Sequence, residues 1–188
     1  ILRDLAAHPA TATHVATKLV RHFIADAPPP AAVERVARAF VASGGDLPTV
    51  HAALVACPEA WAQPLAKLKQ PVEYVVSALR ALPEARGAKP ESLHFALREM
   101  GQAPYSAPSP QGWPDAAAAW ANADGVWKRI EWASALAERV GTRVDPLRVA
   151  ESAYGPALSE GTRLAIQRAE SRQQALTLAL ASPEFQRR

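Results

Sequence analysis

Four residues with chemical potential recur near the start of the chain. His14, Lys18 and His22 fall at i, i+4 and i+8, with Arg21 beside them. On a helix all four project from one polar face. Paired imidazoles raise the question of a metal, but His14 and His22 lie two turns apart, roughly 12 Å along the axis, and the Lys18 ammonium between them repels a cation. No metal site is therefore expected. Four such groups can hold an anion or an acidic partner; the plainer reading is a solvated or inter-helix polar face.

Nucleophilic catalysis needs a Ser, Thr or Cys beside a base that a third group orients. The sequence has no Gly-x-Ser-x-Gly elbow, no triad context for its histidines, no glycine-rich phosphate loop and no Cys/His cluster. No catalytic residue and no cofactor is expected. The lone Cys57, after an apolar helix and before a proline, reads as a buried, inert thiol. Glu73, in the first turn after Pro71, reads as a complement to a helix dipole. An enzyme would need a cleft where His14, Lys18 or His22 converges with Glu73 or Gln102.

The second concentration of interest is "MGQAPYSAPSPQGWPD", Met100 to Asp115. Prolines 104, 108, 110 and 114 fix φ and remove backbone donors, so this segment is a long irregular loop. Gly101 and Gly112 permit its bends, and Tyr105 and Trp113 are the expected anchors. The Trp113 ring is expected to be mostly buried against the helices around Leu97 and Trp127. Four of the five tryptophans, at 113, 120, 127 and 132, lie in or just after the loop. Such rings either stack on sugars and grip extended peptides or plug the loop onto an alanine-rich body. Trp127 and Trp132 are five apart, which points them to different faces. The candidate ligand or partner surface is thus His14, Lys18, Arg21, His22, Gln102, Tyr105 and Trp113, with a protein or a glycan as its occupant.

The elements that must position these residues are helices. Ala12, Val15, Ala16, Leu19, Val20 and Phe23 mark one buried face from Pro9 to about Ala25. Prolines 28 to 30 stop that helix and start another, which Ser43-Gly44-Gly45 ends; Asp46 caps a third to about Ala56. Further helices are expected over Pro71–Leu82, from Pro90 to Met100, and over Val126–Val140, Pro146–Tyr154, Ser159–Glu170 and Ser171–Ala181. Alternating strand patterns are nearly absent. The expected fold is all-α, a bundle of eight or nine short helices with one long proline-rich loop. "VHAALVACPEAW" and "QALTLALASPEF" echo one another, either as a helix pair used twice or as chance in an alanine-rich chain.

At 188 residues, 49% of them apolar, the chain supports a single helical domain, with lobes 1–100 and 113–188 as the division the loop suggests. A net charge of +3, thinly spread, argues against nucleic acid. No stretch approaches the ~20 apolar residues of a membrane span. The opening Ile1-Leu2-Arg3, with neither an initiator Met nor a signal-like segment, reads as a fragment of a longer protein.

"HPATATHVATKLVRHFIADAPPP", "GGDLPTVHAALVACPEAW", "KLKQPVEYVVSALRAL", "MGQAPYSAPSPQGWPD" and "LASPEF" stand in an order that resembles the carboxy-terminal part of the bacterial domain of unknown function 1800 family. The resemblance runs from His8 to Phe185. Tyr105 departs from it, standing where the family pattern has Phe, and "SPQGWPD" varies a Pro-x-x-x-Gly-Trp-Pro pattern. It implies a longer protein with a further helical amino-terminal region, and a periplasmic or extracellular location. No activity comes with it. The reading is therefore a structural or interaction module of a larger, exported bacterial protein, partnered by another protein or by that amino-terminal region. The alternative is a hydrolase domain acting on an envelope or extracellular polymer, with polar residues of the first helix in its site.

Overall fold

The computed structural model describes residues 1–85 and 87–188. Among them are eleven α-helices, nine of eight residues or more, and no strand beyond one isolated antiparallel bridge between Leu68 and Arg187. The all-α expectation holds. Two compact units divide the chain, Ile1–Lys67 and Leu68–Arg188. The 100–115 loop, where the sequence suggested a division, lies inside the second unit.

The first unit holds α1 (Leu2–Ala7), α2 (Pro9–Phe23), α3 (Pro30–Ala42) and α4 (Leu47–Val55). Proline opens α2 and α3, where its missing N–H would have been unsatisfied in any case. Asp46 caps α4 by accepting the Thr49 N–H at 3.0 Å. The core joins Ala12, Ala16 and Val20 of α2, Ala32, Val36 and Phe40 of α3, and Val50 and Leu54 of α4, with the buried Cys57. The alanines let α2 and α3 approach closely. Cys57 donates its thiol hydrogen to the Ala53 carbonyl at 3.3 Å, the behaviour of a packed thiol. The buried Lys67, last residue of this unit, is ion-paired with Asp26.

The second unit holds α5 (Pro71–Ala81), α6 (Pro90–Glu99), α7 (Ala123–Val140), α8 (Pro146–Tyr154), α9 (Glu160–Gln167), α10 (Arg172–Ala181) and α11 (Pro183–Gln186). Its main core packs Tyr74, Val75 and Ala78 of α5 against Ala133, Leu136 and Ala137 of α7, Leu176 and Leu180 of α10, and Phe185. Side-chain oxygens of Asn122, Asp145, Ser159, Ser171 and Ser182 cap α7 to α11. Gly141 and Gly155 end α7 and α8 at φ of 63° and 52°, a region that costs other residues strain.

The sequence echo has a structural counterpart. Each copy ends a helix at a buried small residue, Cys57 or Ser182, and the next proline opens a short helical turn. The glutamate after it then reaches back to the helix before the hairpin. Glu59 accepts from Arg35 of α3 at 2.8 Å, and Glu184 accepts from Thr162 of α9 at 2.9 Å. The aromatics differ: Phe185 enters the core, whereas Trp61 is exposed and donates to the Val55 carbonyl.

Candidate functional site

His14, Lys18, Arg21 and His22 all lie on α2, as the spacing required. His14 and Lys18 are exposed, Arg21 and His22 half-buried, and His22 meets Phe23 edge-on at 4.6 Å. The other histidines are dispersed: His8 caps α2 through its Nδ1, and His51 and His94 are exposed on α4 and α6. Among the described residues no group of three His, Cys, Asp or Glu side chains is placed to hold a metal.

Of the four, Arg21 lines a groove. A groove of about 790 Å³ runs along α2 and α3, lined by Ala12, Thr13, Thr17 and Arg21 on one side and Val33, Glu34, Ala37, Arg38 and Val41 on the other. Thr17 donates its hydroxyl to the Thr13 carbonyl at 2.7 Å, and Thr13 to the Pro9 carbonyl at 3.3 Å. With the hydroxyls turned back onto the helix, the threonines offer methyl groups to the groove. Arg38 and Glu34 pair at 2.6 Å on the rim, which leaves the charge of Arg21 uncompensated there.

The loop is pinned differently from the expectation. Tyr105 is not an anchor: it is 108% exposed, on a left-handed backbone at φ 59°. Trp113 is only half-buried, and its ring partner is Trp120 at 6.1 Å, not Trp127, which is 59% exposed. Trp120 is the buried ring, 6% exposed, and its indole N–H donates to the Pro114 carbonyl at 2.9 Å. A side chain at Gly125 would meet the Trp120 carbonyl at 2.8 Å, so glycine is what lets α7 start there. Gly101 and Gly112 make the expected bends, at φ 85° and 90°.

Gln102 is the other fastening. Buried, it accepts the Val72 N–H, an orphan donor of the first turn of α5, and donates to the Gln70 side chain, both at 2.8 Å. Gln70 in turn donates to the Pro114 carbonyl at 3.3 Å and to Asp115 Oδ1 at 3.2 Å. Glu73 does more than complement a dipole. It accepts the Gln70 N–H at 2.8 Å and pairs with Arg188 at 3.0 Å.

Beside this network lies a cluster that the sequence did not announce. Arg129 of α7, 1% exposed, donates to the Lys69 carbonyl and to Gln186 Oε1, each at 2.8 Å, and faces the Tyr74 ring. Desolvation lowers its pKa from the ordinary arginine value. Burial also raises the Tyr74 phenol, whose hydroxyl donates to the Leu180 carbonyl at 3.2 Å. The Lys69 ammonium sits 4.3 Å from the Phe185 ring centroid, and burial brings its pKa down to about 8, with Glu73 opposing the shift and Arg129 adding to it. A cleft of about 380 Å³ opens here between α5 and α8, lined by Lys69, Ser77, Arg80, Val149, Ser152 and Phe185.

The model of the family described as "Protein of unknown function (DUF1800)" matches residues 1–187. The chain belongs to the DUF1800 family. No curated protein and no solved structure matches it. The resemblance carried by the motifs is thus a family membership, and in this DUF1800 member those motifs have definite work. "KQPVEY" supplies Lys69, Gln70, Glu73 and Tyr74, "GQ" supplies Gln102, and "SPEF" supplies Ser182, Glu184 and Phe185.

The partly buried ammonium gives a stability signature. Lys69 is depressed from 10.5 to about 8, so between those values the unfolded chain binds the extra proton and stability rises with pH. Below pH 8 the penalty is fully present. Lys69→Met should therefore stabilise the second unit by about 1 kcal/mol at pH 7, after discounting for remaining solvent contact. That advantage should shrink as pH rises from 8 to 10, which urea melts at four pH values would check.

Proposed function

We propose that the chain is an interaction module of a larger, exported bacterial protein, and that its α2–α3 groove seats an amphipathic helix of a partner polypeptide. The groove is the observation that carries the reading. It is long, apolar and bounded by two helices, with residues at 13, 17 and 21 and at 34, 38 and 41 repeating every three or four positions, the spacing a third helix would match. The uncompensated Arg21, with the exposed Lys18 one turn away, favours acidic residues beside the partner's apolar seam. Export to the periplasm or beyond rests on the motif resemblance.

Selection of helical peptides against the chain should return apolar residues at i, i+3 or i+4 and i+7, flanked by Asp or Glu. Val41→Glu, at an exposed position, should weaken the selected peptide at least tenfold with the circular dichroism unchanged. Arg21→Glu should weaken it and spare a variant peptide whose acidic flanks are neutral. Equal binding by wild type and Val41→Glu, or amide shift changes lying away from α2 and α3, would overturn the proposal. Fractionation of the source cells showing the protein confined to the cytosol would remove the export element.

A further inference from the structure

We propose that the cleft between α5 and α8 is a binding site for a phosphate-bearing small molecule, held by Lys69, Arg80, Ser77 and Ser152. These polar side chains line the cleft together, and a cavity of about 380 Å³ leaves room for the body of a ligand beyond its phosphate. No carboxylate lines it. Glu73 acts on Lys69 from outside the lining, and the acidic groups of the surrounding elements each hold partners of their own. Glu73 is held by Gln70 and Arg188, Glu151 pairs with Arg163 at 2.5 Å, and Glu184 accepts from Ser159 and Thr162. Two cations therefore share one cleft without an anion among the described lining residues. The cation that bears on Lys69 is Arg129, and a ligand of opposite charge in the cleft would favour the protonated Lys69 and Arg80 side chains.

The architecture around Lys69 separates it from an ordinary surface lysine. Its backbone is clamped at both polar atoms: its N–H donates to the Gln186 carbonyl at 2.8 Å, and its carbonyl accepts from Arg129 at 2.8 Å. The side chain leaves this fixed point across the face of Phe185, with no hydrogen bond or ion pair to its ammonium among the described residues. Arg80 and the two serines likewise make none there. An ammonium, a guanidinium fork and two hydroxyls can all donate, which suits the several oxygens of a phosphate and excludes a metal ion. Clamping the backbone orders the site before the ligand arrives, which cuts the entropy lost on binding.

The test is titration of the whole chain with inorganic phosphate, hexose phosphate, glucuronate and chloride at constant ionic strength, followed by amide shifts and calorimetry. Saturable phosphate binding with shifts at Lys69, Ser77 and Ser152 is expected, with hexose phosphate tighter. Lys69→Gln and Arg80→Gln should each weaken it about tenfold or more, as expected for hydrogen bonds to charged groups. Arg80 is exposed, so Arg80→Gln decides the matter even where Lys69→Gln disturbs folding. Phosphate behaving like chloride, or unchanged affinity in Arg80→Gln, would overturn the site. Glucuronate binding as tightly as hexose phosphate through the same residues would overturn its assignment to phosphate.

Discussion

Replacing Arg129 by alanine should destabilise the second unit by about 3 to 5 kcal/mol, among the largest effects any single substitution in it produces. Two terms add. The guanidinium ties three separate segments, α7, the entry to α5 at Lys69 and the carboxy-terminal Gln186, so its loss leaves the Lys69 carbonyl and the Gln186 amide oxygen without that donor in a part-buried setting. Truncating a fully buried side chain of that length also leaves a void beside Tyr74. Arg129→Met separates the terms, because it keeps the volume and removes a desolvated charge, and it should cost only about 1 to 2 kcal/mol. Guanidinium denaturation followed by tryptophan fluorescence suits the measurement, since four of the five tryptophans belong to this unit. An Arg129→Ala midpoint equal to wild type would show that water replaces the guanidinium at no cost.

The contrast between α2 and Arg129 shows what the sequence made legible. Helices are readable because their signals are local: proline at the first position, Asp or Ser caps, and apolar residues every three or four positions, so that the expected and observed bounds of Pro146–Tyr154 coincide. The six-residue α1 carries no buried position and so no periodic signal that would mark it. Arg129 and Lys69 were not legible as a pair, because the hydrogen bond between them spans 60 residues and each alone reads as a surface cation. The same holds for Gln70 and Gln102, 32 apart, whose amides carry no pattern that marks burial. The division at Lys67 was hidden for another reason. A proline-rich loop looked like a linker, but Gln102, Gln70 and Trp120 fold it onto the second unit, whereas the boundary falls in a short stretch without a compositional shift.

That loop gives the second large effect, and it separates packing from display along one segment. Trp120→Ala should cost about 3 to 5 kcal/mol, the usual range for removing a buried indole, and it also leaves the Pro114 carbonyl with only the longer bond from Gln70. Trp113→Ala, which removes only the half-buried ring leaning on Trp120, should cost about 1 to 2 kcal/mol. Tyr105→Ala should leave stability within about half a kcal/mol, as exposed positions do, with a small additional cost or gain from its left-handed backbone. Tyr105→Gly is the sharper probe of that backbone: glycine adopts φ near 59° without strain, so it should match or slightly exceed wild type in stability. The order Trp120, Trp113, Tyr105 in thermal melts would establish that the corner is built from the inside by one indole. A Tyr105→Ala variant as unstable as Trp120→Ala would mean that the loop closes over the tyrosine in solution.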